Sequence, residues 1–290
     1  MDVKKQTILS KSIDYPPLSI KDEEKAKLYC NDRYIAKRGT TESIFREFGI
    51  GKKLKKIDPD NKYFIYPIDI VTYKDDTVVA IMPYGGITIY EYMIKNRIDE
   101  KQFLSMMKHL FSALKLLQDL DILHMDLKAD NILIDKGANI RIIDFGHAIF
   151  DNHLENIHSF YSSLEEPEKE IHGKFPLFCT SLISFNIKDK YTEREIYVRY
   201  DLAYRGWRAD MKADGDENKD LIKHYLQMKY MDLLKLTVKN RHKIDMFRLV
   251  SFILIPVYYG DNKDIGKMLK QCMNLDVDKQ LCIDDVLKVL

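Results

Sequence analysis

Apolar and polar positions along the chain change rhythm once. In the first third they alternate in short runs, the spacing of half-buried strands. After Gly85-Gly86 they recur every three to four residues, the spacing of helices. KAKLYC and RYIAKR flank Asn31-Asp32 and predict two strands joined by a two-residue hairpin. Thr40 to Lys56 predicts a helix, with Ser43 or Thr41 as its N-cap and lysines at the C-terminal end, where the helix dipole favours them. KYFIYPIDIVTYKDDTVVAIMPYGG predicts a second hairpin, turning at Lys74-Asp75-Asp76. Beyond the glycine pair, Tyr90 to Lys95 and Lys101 to Leu120 predict helices. The second carries Phe103, Met106, Met107, Leu110, Leu114 and Leu117 on one side, as core-filling residues. Asn131 to Ile134 and Ile140 to Ile143 predict two short apolar strands, and the remainder reads as mostly helical. Strands first and helices later predict an α+β chain with two lobes: a small β-rich lobe with one helix over residues 1–84, then a larger, mainly helical lobe over 85–290.

Composition narrows this picture without redirecting it. Hydrophobic residues make up 46% and charged residues 31% of the 290 positions, which is globular composition and long enough for a substantial core. A formal net charge of +1 gives no global field that would favour nucleic acid or an anionic membrane. The longest apolar run, Leu249 to Tyr259, falls short of the ~20 residues a bilayer span needs and predicts a buried core helix. The opening segment has no apolar signal-like core. Cys30, Cys179, Cys272 and Cys282 form no C-x-x-C pair and read as reduced thiols, so the expected location is cytoplasmic, with the nucleus left open as the alternative.

The chemistry concentrates in two runs. His124-Met125-Asp126-Leu127-Lys128-Ala129-Asp130-Asn131 is followed, after the short apolar hairpin, by Asp144-Phe145-Gly146. A lone D-x-x-x-x-N is a weak signal, because carboxylate and amide side chains also cap turns. Two such runs in this order, separated by an apolar hairpin, are far more specific. Here the chain resembles the protein kinases: residues 124–131 resemble the catalytic loop and 144–146 the metal-binding D-F-G. The resemblance implies a bilobal kinase-like fold that uses ATP and Mg²⁺ and acts on protein hydroxyls or engages a protein partner. In that reading Asp126 orients the substrate hydroxyl and accepts its proton. Lys128 neutralises the transferring phosphate, while Asn131 and Asp144 hold magnesium. Lys128, two residues after Asp126, is similar to serine/threonine kinases and counts against a small-molecule phosphotransferase.

Upstream, Tyr34-Ile35-Ala36-Lys37 resembles the strand ending in the ATP-binding lysine, and Glu47 the helix glutamate that pairs with it, with Glu42 as the alternative. Ile44, Glu47, Gly51 and Leu54 share one helical face, which would turn Glu47 inward. Met82-Pro83-Tyr84-Gly85-Gly86 resembles the hinge that meets adenine. Pro83 has no N–H, so a backbone donor must come from Tyr84 or Gly85. Lys243 to Leu249 resembles the central helix of the large lobe with Asp245 as its anchor, and Met268 to Leu290 the closing helix pair.

Four features depart from the family pattern. Where the glycine-rich loop should turn, the chain reads Lys21-Asp22-Glu23-Glu24-Lys25-Ala26, so side chains and three carboxylates stand where bare backbone N–H groups would approach phosphate. Met125 stands where the family often has the arginine that pairs with an activation-segment phosphate, so phosphorylation there is not expected to be the switch. Gln280 stands at the place of another arginine, whose usual partner has only Glu166-Pro167-Glu168 as a candidate. The segment 150–243 is longer than the family needs and is expected to hold extra helices, such as Leu221 to Val238.

Two other clusters are expected to carry no site. His147, His153, His158 and His172 fit no common metal spacing. Asp210 to Asp216 resembles a calcium loop, but Lys212 takes a ligand position and Leu221 that of the bidentate acid. The intact base and metal residues favour an atypical serine/threonine kinase. The missing glycine loop favours the alternative, a pseudokinase that acts as a scaffold or allosteric binding partner without phosphotransfer.

Overall fold

The structure is a computed structural model that describes residues 19–20, 28–30, 33–72, 78–163, 179, 217–255, 262–274 and 276–290. The chain forms two compact units, Met1–Leu116 with Lys128–Ala148, and Leu117–Leu127 with Ile149–Leu290.

The first unit is built on an antiparallel sheet ordered β1-β2-β3-β5-β4, from Ser19–Ile20, Leu28–Cys30, Tyr34–Gly39, Val78–Pro83 and Asp69–Thr72 respectively. Both hairpins expected from the sequence are present as antiparallel pairs, β2 with β3 and β4 with β5. Their turn tips, Asn31-Asp32 and 73–77, lie outside the described residues. Strand β5 is apolar throughout because both of its faces are covered. Val78, Ala80 and Met82 join Ile44, Ile65 and Leu133 in one cluster, while Val79 and Ile81 join Ala36 and Val71 in another.

Helix α1, Thr41–Ile57, buries Ile44, Glu47, Ile50, Gly51 and Leu54 on one face, with Lys55 and Lys56 in its last turn. Its N-cap is Thr40, not the expected Ser43 or Thr41. Thr40 keeps an extended backbone and its hydroxyl accepts from the Ser43 N–H at 3.2 Å, so the two expected caps already lie inside the helix. Asp58 then gathers the loop after α1 by accepting from the N–H groups of Lys62, Tyr63 and Phe64 at 2.8–2.9 Å.

Strand β6, Ile87–Thr88, pairs with β7, Ile132–Ile134, which pairs with β8, Ile140–Ile142. Helix α2, Ile89–Lys95, starts with a Thr88–Glu91 capping box. In α3, Glu100–Asp119, all six residues expected on the core side are buried.

In the second unit, α4 spans His153–Ser163, α5 Glu217–Gln227, α6 Tyr230–Lys239, α7 His242–Leu249, α8 Lys263–Cys272 and α9 Ile283–Val289. The segment Leu221 to Val238 is interrupted at Met228-Lys229, so it belongs to two helices. Tyr225, Leu233 and Leu234 are buried while Met231 is half exposed. The core helix expected from Leu249 begins with a π-helical turn, Val250–Leu254; residues 256–261 lie outside the described residues. Asp121, in left-handed backbone with φ 54°, lies in this unit just past the end of α3. Its carboxylate meets Arg241 at 2.8 Å and His242 at 3.3 Å, and its carbonyl meets the His153 ring at 3.0 Å. Gln280 is buried and donates to the Asn274 carbonyl at 2.7 Å. Glu166-Pro167-Glu168, His172 and the acidic turn 210–216 lie outside the described residues. No helix among the described residues is long and apolar enough to cross a membrane.

Candidate active site

Lys37 follows Ala36, the buried residue of β3, and points toward α1 and the Asp144 turn. Its Nζ lies 3.1 Å from Glu47 Oε2 and 2.6 Å from Asp144 Oδ1. Glu47 is fully buried, as expected from its apolar helical face, whereas the alternative, Glu42, is exposed and pairs with Arg46 on its own helix. Burial alone would lower the Lys37 pKa, but the Glu47 and Asp144 carboxylates outweigh it and hold the ammonium above its ordinary value. Burial pushes the Glu47 carboxyl up. Lys37 opposes that shift, and the like charge of Asp144 adds to it. The lysine is therefore a fixed cation between two acids, and it counters the desolvation of the buried Glu47.

The D-F-G turn is held around this triad. Asp144 is a non-glycine residue in left-handed backbone, φ 66° and ψ 71°, and its Oδ1 also accepts from the Gly146 N–H at 3.3 Å. Phe145 is fully buried, edge-on to Phe64 with ring centroids 5.9 Å apart. Arg46 of α1 donates to the Gly146 carbonyl at 3.2 Å. A Cβ on Gly146 would stand 2.5 Å from the Ser43 hydroxyl, so glycine lets α1 sit this close to the turn. Arg46 was not singled out from the sequence, where an exposed-looking arginine in a charged helix carries no distinguishing signal.

Asn131 closes a 3-10 turn, Ala129–Asn131, in which its N–H reaches the Lys128 carbonyl at 3.0 Å. Its own carbonyl accepts from the Ile143 N–H at 3.0 Å, which fixes it beside the strand leading to Asp144. Asn131 is buried and Lys128 is exposed.

In the hinge-like segment Met82 is buried and Tyr84 exposed. The Tyr84 N–H donates to the Arg33 carbonyl at 2.8 Å, so of the two donors left open by the sequence Gly85 is the one not spent on that bond. A Cβ on Gly85 would lie 2.2 Å from Ile65 Cδ1 and 2.6 Å from Leu133 Cδ1, so the two apolar side chains press directly on this backbone.

Asp126 belongs to the second unit. Its loop is fastened to α7: Asp245 accepts from the N–H groups of His124 at 2.5 Å and Met125 at 2.9 Å. Asp245 is buried, which raises its pKa against the pull of His124, the two bonded N–H groups and Arg248. The Asp126 carboxylate meets Arg248 Nη2 at 3.1 Å. Arg248, like Arg46, escaped sequence reasoning. The available signal was a lone arginine inside the apolar run from Ile244 to Leu249.

Lys37, Glu47, Met82, Tyr84, Gly85, Lys128, Asn131 and Asp144 thus all fall in the first unit and Asp126 in the second. Among the described residues no group of three His, Cys, Asp or Glu side chains could hold a metal alone. Asp144 and Asn131 nevertheless offer the hard oxygen donors suited to a Mg²⁺ that completes its shell with phosphate and water.

The protein kinase domain, as a family profile, matches residues 21–165, half of the chain. Among curated proteins, the chain is 28% identical over 133 residues to the mouse hormonally up-regulated neu tumor-associated kinase, covering 44% of this chain and 16% of that protein. It is 27% identical over 197 residues to the probable serine/threonine-protein kinase mkcE of Dictyostelium discoideum, covering 57% and 27%. It is 31% identical over 106 residues to fnkB of the same organism, also a probable serine/threonine-protein kinase, covering 36% and 19%. The matched stretches therefore make up under a third of each relative's length. With the profile match spanning half the sequence, this chain belongs to the protein kinase family.

Proposed function

We propose that the chain is an atypical serine/threonine protein kinase that transfers the γ-phosphate of ATP to protein hydroxyls. The observation that carries this reading is the Lys37–Glu47–Asp144 contact, which joins residues up to 107 positions apart into a cation held by two acids. In this reading residues 1–84 serve as the nucleotide-gripping lobe and 85–290 as the catalytic lobe. Lys37, steadied by Glu47, meets the nucleotide phosphates as a point charge. Adenine lies along Met82, Tyr84 and Gly85, with Gly85 as backbone donor. Asp144 and Asn131 hold Mg²⁺, which when bound neutralises phosphate charge. Lys128 faces the transferring phosphate, and Asp126 accepts the proton of the substrate hydroxyl. The reduced cysteines suit a cytosol-like compartment. Because Lys21 to Ala26 contain no glycine, more of the phosphate grip falls on Lys37, and ATP affinity is expected to be weak. Because Met125 replaces the usual arginine, activity is expected to survive phosphatase treatment.

The missing glycines favour a second reading, a pseudokinase that binds a protein partner without transferring phosphate. Two measurements separate the readings. Mg·ATP at about 100 times its Kd raises native stability by roughly 2.7 kcal/mol, visible as a higher melting midpoint, and Asp144→Asn should abolish the metal-dependent part. Phosphotransfer from labelled ATP to a degenerate serine/threonine peptide library should then be seen with the wild type and lost in Asp126→Asn. No thermal shift at millimolar Mg·ATP together with no transfer would favour the pseudokinase. Wild-type turnover in Asp126→Asn would remove the role given to that residue.

A further inference from the structure

Helix α7 holds the Asp126 loop at three successive residues. Asp245 binds the backbone N–H groups of His124 and Met125. One helical turn later Arg248 reaches the Asp126 carboxylate, Nη2 to Oδ1, at 3.1 Å. Within the loop, the Asp126 N–H donates to His124 Nδ1 at 3.3 Å, so the backbone leading into Asp126 is fixed as well. Arg248 is only 4% exposed, and its guanidinium carbon lies 5.7 Å from the centre of the Phe252 ring. Ile244, Met246, Phe247 and Leu249 surround it in sequence, and all are buried.

A guanidinium in such surroundings carries a large desolvation cost, and a pairing with a carboxylate offsets it. The guanidinium reaches the carboxylate through Nη2, on a planar group whose N–H direction is fixed, which a flexible lysine ammonium reproduces less well. Burial also keeps Arg248 from meeting a protein substrate directly, and its contact with Asp126 gives it a route to the reacting groups.

We propose that Arg248 is a positioning residue for Asp126, holding one carboxylate oxygen so that the group is oriented for a substrate hydroxyl without any activating modification. This rests on the proposed kinase activity. The Asp245 bonds set the course of the loop backbone, and Arg248 sets the side chain. Met125, directly before Asp126, is buried with φ 64° and has no charge to respond to a phosphate. Arg248 supplies a permanent cation from within the helix instead.

The test compares wild type, Arg248→Met and Arg248→Lys for phosphotransfer from labelled Mg·ATP to the degenerate peptide library, with melting curves giving the folded fraction. The expected result is a fall in kcat of at least tenfold per folded molecule in Arg248→Met, an ATP KM within twofold of wild type, and partial recovery in Arg248→Lys. If Arg248→Met does not fold, Arg248→Lys decides alone: an unchanged kcat overturns the proposal, and a lowered kcat at unchanged ATP KM supports it. An active wild type with an equally active Arg248→Met, or a loss explained wholly by lost folded protein, overturns this inference and leaves the kinase reading standing. A wild type that binds no Mg·ATP and transfers no phosphate overturns both.

Discussion

Replacing Lys37 with methionine keeps the length of the side chain and removes the cation that meets both Glu47 and Asp144. At 3.1 Å and an effective dielectric of ~20, the Lys37–Glu47 attraction is about 5 kcal/mol before desolvation is counted. Breaking a buried pair by removing one partner costs about 3–5 kcal/mol, because the remaining charge stays buried and uncompensated. Glu47 is fully buried, and burial and the like charge of Asp144 both raise its pKa. Without Lys37 the main opposing charge is gone and only the bond from the Phe145 backbone still opposes them, so the variant can limit its loss by protonating Glu47. A carboxyl whose folded pKa is raised binds more protons folded than unfolded, so its presence favours the fold at low pH and less so as pH rises through that window. The slope is about 1.4 kcal/mol per pH unit for one proton.

The expected cost of Lys37→Met is therefore on the order of 3–5 kcal/mol where Glu47 stays ionised, and smaller at pH 6 than at pH 8. At about 2–4 °C per kcal/mol for a chain of this order of size, the midpoint should fall by roughly 6–20 °C where Glu47 stays ionised, and by less at pH 6 than at pH 8. Adding Glu47→Gln removes the orphaned charge and should flatten the pH dependence. Thermal melts of wild type, single and double variants at both pH values give the answer. An equal loss at pH 6 and pH 8, or a double variant as pH-sensitive as the single, would refute the reasoning.

Other expectations follow from the same geometry. Asp245→Asn puts an amide where a buried carboxylate accepts two backbone N–H groups and should cost about 3–5 kcal/mol, read from chemical denaturation; a loss below 1 kcal/mol would be inconsistent with that anchoring. Gly86 has φ 105°, and a Cβ there would stand 2.2 Å from the Ile134 carbonyl oxygen, so Gly86→Ala should cost about 2–3 kcal/mol. Gly49→Ala, inside α1 with nothing within 4 Å, should instead gain about 0.5–1 kcal/mol, and a loss there would count against the open face. His242 is pushed down to about 4, first by burial and then by Arg241 and His153, against the attraction of Asp121. The unfolded chain binds that proton first, so stability should fall as pH drops from about 6.5 toward 4, and His242→Gln should flatten that part of the curve.

The features legible in the sequence were those with local periodicity or fixed spacing. The inward face of α1 followed from Ile44, Glu47, Gly51 and Leu54, and the core side of α3 from its apolar spacing. The first cap was misplaced because Thr40, Thr41 and Ser43 offer the same hydroxyl chemistry, and only the backbone at Thr40 distinguishes them. The break at Met228-Lys229 had no proline or glycine to mark it. The donor at the hinge-like segment could not be chosen from sequence, since the Tyr84 bond to Arg33 depends on how β3 and β5 are registered. Arg248 was hidden for a related reason. Pattern reading assigns arginine to solvent, and a buried one becomes visible only with its partner, 122 residues away.

The two loops proposed to carry the chemistry share a physical device that sequence patterns also conceal. Met125 and Asp144 are non-glycine residues in left-handed backbone, with φ 64° and 66°. Such conformations cost of order 1–3 kcal/mol and persist only when the surroundings over-determine them. At Met125 the surroundings are the buried Asp245 carboxylate, bonded to that residue's own N–H and to the one before it. At Asp144 they are Lys37 on the carboxylate, the Gly146 N–H on the same oxygen, and Arg46 on the Gly146 carbonyl. Glycine at either position would relieve the backbone and remove the side chain or its restraint. The chain retains strained residues there and fastens each with charge-assisted hydrogen bonds, placing rigidity next to the groups proposed to act on phosphate and hydroxyl.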